Sequence, residues 1–191
     1  MNTTNKTTTR KQALDGFGPI LIKQGYDWIE IEKVAAATHL DPDALKAEFP
    51  SKALLCEAWM EETEDSSRRH HEELLNSDRS ARELIDHYFR ELESFMQRHE
   101  FGGCPFSNTA GALRGRSEPR IERRIAEHKE ELRRFFRRVC ERESLQSGML
   151  AESLFLIYSG ATTESSSLRS LEPVSAGRQA ALSLHDLHAV A

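Results

Sequence analysis

The side chains that could do chemistry in this chain are few and scattered. His71-Glu72 opens the H-E-x-x-H pattern that pairs two zinc-binding imidazoles with a general base, but Leu75 stands where the second histidine is needed. His185 and His188 flank Asp186 at helical spacing, which equally suits ordinary residues of a terminal helix. Cys56, Cys104 and Cys140 are widely separated and odd in number, so they offer neither a disulfide framework nor a C-x-x-C zinc half-site. Gly16-x-Gly18 lacks the preceding strand and the third glycine of a dinucleotide loop, where Leu21 stands instead. There is no G-x-S-x-G nucleophile elbow, and no cysteine has a discernible base partner. No metal, cofactor or catalytic residue is therefore assigned, and the expectation is a protein that is not an enzyme.

A second chemical possibility is polyanion binding. Arg120, Arg123, Arg124, Lys129, Arg133, Arg134, Arg137 and Arg138 form a basic run, interleaved with Glu122, Glu127, Glu130 and Glu131. Glu130 and Arg134 are spaced for an i,i+4 pair, and no aromatic platform alternates with the arginines as single-strand binders require. The run reads as a solvated helix face.

The whole chain of 191 residues carries a formal charge of −5, with 30% charged and 38% hydrophobic residues. This suits a soluble helical protein of one domain, or a small module joined to a larger one. Charge is segmented: residues 61–100 carry 12 acidic against 6 basic side chains, and residues 101–146 carry 11 basic against 7 acidic. Lys6, Arg10 and Lys11 have no acidic neighbour in the first eleven residues, so residues 1–9 read as an arm, either frayed or phosphate-seeking. No apolar run approaches the roughly 20 residues of a membrane span, and the opening lacks a signal peptide's apolar stretch. The cytoplasm is the expected compartment.

Stepping of apolar residues by three and four predicts an all-α chain of about nine helices. Ala13, Leu14, Phe17, Ile20 and Leu21 mark a short first helix closed by Gly25, with Pro19 expected to kink it. Ile31, Val34 and Ala35 mark a second. Asp41-Pro42 starts a third that ends near Phe49, and Ser51 caps a longer fourth. Ser80 and Glu83 form a capping box ahead of the cleanest amphipathic stretch, from Leu84 to Met96. Phe17, Leu21, Val34, Leu40, Leu45 and Phe49 are the candidate core of three short helices. Only about four residues, Thr38 to Asp41, join the second helix to the third, the geometry of a helix-turn-helix. The expected division is a head at 1–55 and a larger helical domain at 56–191.

Gly25-Tyr26, Val34-Ala35, Leu45 and Phe49-Pro50-Ser51-Lys52 followed by Leu55 resemble the amino-terminal signature of the TetR family of transcriptional repressors. Gly103-Cys104-Pro105-Phe106 with Asn108 is similar to a segment in some regulatory domains of that family. The resemblance implies an all-α homodimer, each subunit with a three-helix DNA-binding head and a ligand-sensing, dimer-forming body. A small-molecule effector in the body would shift the spacing of the heads and weaken operator binding.

Positions that make the head's core match this pattern, while positions that touch DNA depart from it. Ile29 and Glu30 replace small hydroxyl residues, His39 replaces the turn glycine, and Glu48 stands where an aromatic is common. The recognition helix carries Asp43, Ala44 and Lys46 at its contact positions. Asp43 admits two readings, a helix cap or an acceptor for cytosine N4. Lys46 reads as a phosphate or guanine contact, and Lys52 keeps its role in phosphate binding by position. Arg10 and Lys11 either follow the backbone or face solvent, and Lys33 completes the candidate face. An acidic recognition helix also favours a second reading: a TetR-like protein with weakened or lost DNA binding that acts as a protein–protein regulator.

In the body, Tyr88, Phe89, Phe95, Phe106, His128 and Phe135 are candidates to line an effector pocket, the alternative for the aromatics being plain core packing. Leu150, Leu154, Ile157, Tyr158 and Ala161, with Ala181, Leu184 and Leu187, are the candidate dimer interface, meeting their symmetry mates in a four-helix bundle.

Overall fold

The computed structural model describes residues 3–143 and 148–189, with side chains from Thr9 onward. Among the described residues there are nine α-helices and no strand. They are α1 (Thr3–Gln24), α2 (Ile31–Thr38), α3 (Pro42–Glu48), α4 (Lys52–Leu75), α5 (Ala81–Arg98), α6 (Pro105–Ala112), α7 (Pro119–Glu141), α8 (Gly148–Leu168) and α9 (Glu172–Ala189). No described helix is long and apolar enough to cross a membrane.

Local chemistry explains most of the boundaries. Asp41 caps α3 by accepting from the Asp43 amide, with Pro42 at the first helical position. The Ser51 hydroxyl accepts from the Leu54 amide at 3.2 Å to open α4. At α5 the full capping box forms, Ser80 and Glu83 each satisfying the other's backbone amide. The first helix differs from expectation. It runs from Thr3 through Pro19 to Gln24, covering most of the arm expected at 1–9. Nothing before Gly16 breaks a helix, so the buried segment propagates backward at little cost.

The helices divide into two compact units. The first comprises residues through Asp65 together with Pro105–Ala126, and the second comprises Ser66–Cys104 with the chain from Glu127 onward. The first unit thus reaches past the boundary expected at residue 55, because α4 continues its packing and α6 joins it. Its core holds Phe17, Leu21, Val34, Leu45 and Phe49, as the spacing predicted, with Leu40 only half-buried. Ile29, which replaces a hydroxyl residue of the family pattern, is buried. It therefore serves the core and leaves the phosphate-facing role.

Two glycines set the packing of α1. A Cβ on Gly16 would lie 2.1 Å from the Thr38 methyl of α2, and one on Gly18 would lie 2.6 Å from Trp59 of α4. The Gly16-x-Gly18 pair is thus a close-approach device between helices. Glu57, Glu61 and Glu64 of α4 meet Arg120, Arg123 and Arg124 of α7, also within the first unit. The basic run is therefore not wholly a solvated face. The expected Glu130–Arg134 pair does not form: Glu130 binds Arg137 at 2.6 Å and Arg134 binds Glu131 at 2.9 Å.

In the second unit α5 lies against α8 and α9. Its core gathers Leu84, Ile85, Phe89, Met96, Phe135, Phe136, Val139 and Leu154. His185 is buried and its ring nitrogens meet Glu143 and Asp186, each at 3.1 Å, so this terminal histidine ties α9 to the end of α7.

Candidate functional site

The α2–α3 corner turns on His39, whose φ of 55° is left-handed. A non-glycine residue there costs on the order of 1 kcal/mol, which the corner bears through its buried neighbours Val34, Ala35 and Leu45. The His39 and Leu40 amides return to the Ala36 and Ala35 carbonyls at 3.4 and 3.0 Å, closing α2. This leaves Asp43, Lys46 and Ala47 of α3 exposed and Ala44 half-buried.

Most cations proposed for this face meet a carboxylate of the same unit. Lys46 Nζ lies 2.7 Å from Glu32 across the corner, Lys33 lies 3.1 Å from Glu30, and Lys11 lies 2.7 Å from Asp15. Arg10 lies 3.5 Å from Glu48 and over the Phe49 ring. The hydrogen bond and charge of Glu32 hold the Lys46 ammonium above its ordinary pKa, and Lys46 in turn lowers Glu32. These pairs are solvated and weak, yet each carboxylate offsets a charge that a phosphate would otherwise meet. Lys52 differs. Its ammonium lies 3.2 Å from the Tyr26 carbonyl and 4.6 Å from that ring's centroid, with no carboxylate contact among the described residues. The sequence could not identify Glu32 as the partner of Lys46, because the pairing exists only once two helices cross.

The second unit contains an open cavity of about 580 Å³ between α4, α5 and α8. Tyr88, Leu92, Phe95 and Tyr158 form its apolar wall, and His70, His87, Glu91, Arg90 and Arg98 its polar rim, with Ser67 and Ser94 between them. Of the six pocket candidates, Tyr88 and Phe95 line it. Phe89 and Phe135 are wholly buried in the core, because their positions point into the α5–α7–α8 packing. Phe106 belongs to the first unit, and His128 on α7 does not reach the cavity. Tyr158, expected at the dimer interface, is part of the wall. The rim residues carry no pattern that marks them; only their position along the open sides of α4 and α5 does.

Behind the wall runs a buried polar chain. His71, 3% exposed, places Nδ1 3.1 Å from Glu131 and Nε2 2.8 Å from the Tyr88 hydroxyl. Burial is the largest influence on His71 and lowers its pKa, so the neutral ring donates from Nδ1 to the carboxylate and accepts from Tyr88. Tyr88 also hydrogen-bonds Tyr158, and desolvation raises both phenols well above their ordinary range. His71, which in sequence only opens an incomplete H-E-x-x-H pattern, is thus the centre of this chain. Burial pushes the Cys56 thiol up to about 12 and the Cys140 thiol up to about 11, so neither is a nucleophile. Among the described residues no group of three His, Cys, Asp or Glu side chains could hold a metal ion.

The expected dimer stripe is corrected by burial. Leu150, Leu154, Ala161 and Ala181 lie inside the unit's own core. Ile157, Tyr158 and Leu184 are half-buried against it, and of the expected residues only Leu187, 70% exposed, faces outward. The outward side of α8 instead carries Leu156, Gly160, Thr163 and Ser167, and that of α9 carries Ala176, Ala180, Ser183 and Leu187. Both sets step by four, three and four residues.

No family model matches this sequence, and no curated protein matches it at a significant level. Solved structures do. A TetR-family regulator from Agrobacterium tumefaciens superimposes with a TM-score of 0.83 at 16% identity, over 93% of this chain and 97% of that one. A TetR regulator from Legionella pneumophila gives 0.80 at 18% identity, over 94% and 95%. One from Chloroflexus aurantiacus gives 0.78 at 20% identity, over 95% and 96%. The chain has the all-α fold of TetR-family transcriptional regulators.

Proposed function

We propose that this chain is a homodimeric, cytoplasmic DNA-binding transcriptional regulator, a repressor released by a small-molecule effector. The head at residues 1–55 engages the operator, and the body at 56–191 carries the effector site and the dimer contact. The observation that carries this reading is the short α2–α3 corner with the outer side of α3 open to solvent. In a duplex complex Lys52 and Lys46 bind phosphates, Asp43 and Ala44 face base edges, and Arg10, Lys11 and Lys33 flank the backbone. The effector acts by binding the released conformation more tightly than the DNA-competent one.

Binding of the purified protein to DNA upstream of its own gene, measured across a salt series, tests this. The expected result is a steep, sequence-dependent fall in affinity with salt. Replacing Lys46 or Lys52 by Ala is expected to reduce the log–log slope by about one. Unchanged slopes remove the phosphate assignments.

The pairing of Arg10, Lys11, Lys33 and Lys46 with carboxylates favours a second reading, a protein–protein regulator that has lost its operator. Absence of DNA binding at low salt selects it.

The dimer contact in this proposal uses the outward stripes of α8 and α9. Small residues at Gly160, Ala176 and Ala180 permit close helix approach, with Leu156 and Leu187 as apolar anchors. The double change Leu156→Glu and Leu187→Glu is expected to give folded monomers in sedimentation. A dimer that persists would place the contact elsewhere.

A further inference from the structure

We propose that the cavity in the second unit takes an amphipathic aromatic carboxylate, its ring on the tyrosine wall and its acid group on Arg98. This deepens the effector-regulated reading above and rests on it. The body of the ligand follows from the wall. The Tyr88 and Tyr158 rings lie 5.0 Å apart at their centroids, and Phe95 and Leu92 extend the same apolar surface. Half-buried Phe95 and Tyr158 supply the accessible aromatic part of this wall, Tyr88 and Leu92 being nearly closed off. Such surface favours an aromatic partner, and the volume accommodates a molecule of two or three rings.

The sign of the ligand follows from how the rim charges are already matched. Glu91 is held from both sides, 2.9 Å from His70 Nε2 and 3.3 Å from His87 Nε2. Arg90 is bound at 2.8 Å to Asp86, whose other oxygen takes Arg178 Nε at 2.6 Å. Arg98 donates its Nε to the Ser94 carbonyl at 3.3 Å and meets no carboxylate among the described residues. Glu91 and Arg90 thus each have a side-chain partner, whereas the Arg98 guanidinium fork has only this backbone carbonyl among the described residues. A cationic ligand would face the two guanidinium groups of Arg90 and Arg98 against the one carboxylate of Glu91, and a neutral one would leave Arg98 unmatched. A carboxylate satisfies the fork with two parallel hydrogen bonds.

Calorimetry on the full-length protein tests this with three probes of one shape: 1-naphthoate, 1-naphthalenemethanol and 1-naphthylmethylammonium. The expected order places naphthoate at least tenfold tighter than the alcohol, with the ammonium weakest. Arg98 is exposed, so Arg98→Gln should fold normally and bring naphthoate down to the level of the alcohol, which itself should not change. Arg98→Lys should retain part of the preference. Equal or tighter binding of the alcohol or ammonium, no binding of naphthoate at millimolar concentration, or a preference that survives Arg98→Gln would overturn the proposal. The DNA salt series run alongside separates the two readings. Steep DNA binding without naphthoate binding removes the ligand class alone. Arg98-dependent naphthoate binding without DNA binding supports the ligand class and removes the regulator.

Discussion

His71→Ala is expected to cost about 3 kcal/mol of unfolding free energy, the scale for leaving buried hydrogen-bonding groups unsatisfied when one of them is a carboxylate. The reason is what the substitution leaves behind. Glu131, 5% exposed, keeps only Arg134, which is itself largely in solvent. The Tyr88 hydroxyl loses its acceptor, and the Phe135 ring loses the imidazole stacked 4.5 Å from it. Denaturant titration measures the loss. Adding Glu131→Met to His71→Ala is expected to recover a large part of it, since an apolar side chain needs no partner. Failure of that recovery would falsify the assignment of the cost to an orphaned carboxylate.

The same histidine sets a pH dependence. Burial lowers its pKa in the folded chain, so below the ordinary histidine value of 6.5 the unfolded chain binds more protons. The contribution is present above pH 6.5 and declines as pH falls. Wild-type melting temperature should therefore drop more steeply between pH 7 and 5 than that of His71→Gln, which has nothing to titrate at that position.

The second large effect is a reversal of a usual rule. Alanine in a helix is ordinarily about 1 kcal/mol better than glycine, yet Gly16→Ala is expected to destabilise the first unit by about 1–3 kcal/mol. The new methyl would meet Thr38 Cγ2, and Thr38 cannot turn away. Its hydroxyl donates to the Val34 carbonyl at 2.7 Å, and its carbonyl accepts from Gln12 Nε2 at 2.6 Å. Thr38→Ser keeps the hydroxyl and removes the methyl. In that background Gly16→Ala should become neutral or stabilising. A stabilising Gly16→Ala in the wild-type chain would show that α1 and α2 are not in contact there.

What was readable from residue order has one property in common: it depends on neighbours within a turn or two. Asp41-Pro42, Ser51 and the Ser80–Glu83 box act over two or three residues, and each forms. The core of the head was readable because Phe17, Leu21, Val34, Leu45 and Phe49 repeat at helical spacing. The extent of α1 was not, because Thr-rich residues neither favour nor stop a helix and its buried part decides.

The sites lay further from the sequence. Phe95 lines the cavity while Phe89 and Phe135, identical in chemistry, fill the core, and Tyr88 belongs to both. The α8 and α9 stripes differ from expectation for a related reason: Leu150, Leu154 and Ala181 mark the face that is buried, and the chain itself buries it. The outward side is made of small residues that periodicity of hydrophobicity does not register.

The order of residues alone determined an all-helical chain, its caps and a short corner between α2 and α3. Only tertiary structure decided that Lys46 meets Glu32, that His71 joins Glu131 to Tyr88, and that Gly16 admits Thr38. Each of these is a contact between residues far apart in the chain, and its geometry is set by how whole helices pack. Local propensity carries no information about that packing beyond the side each helix turns inward.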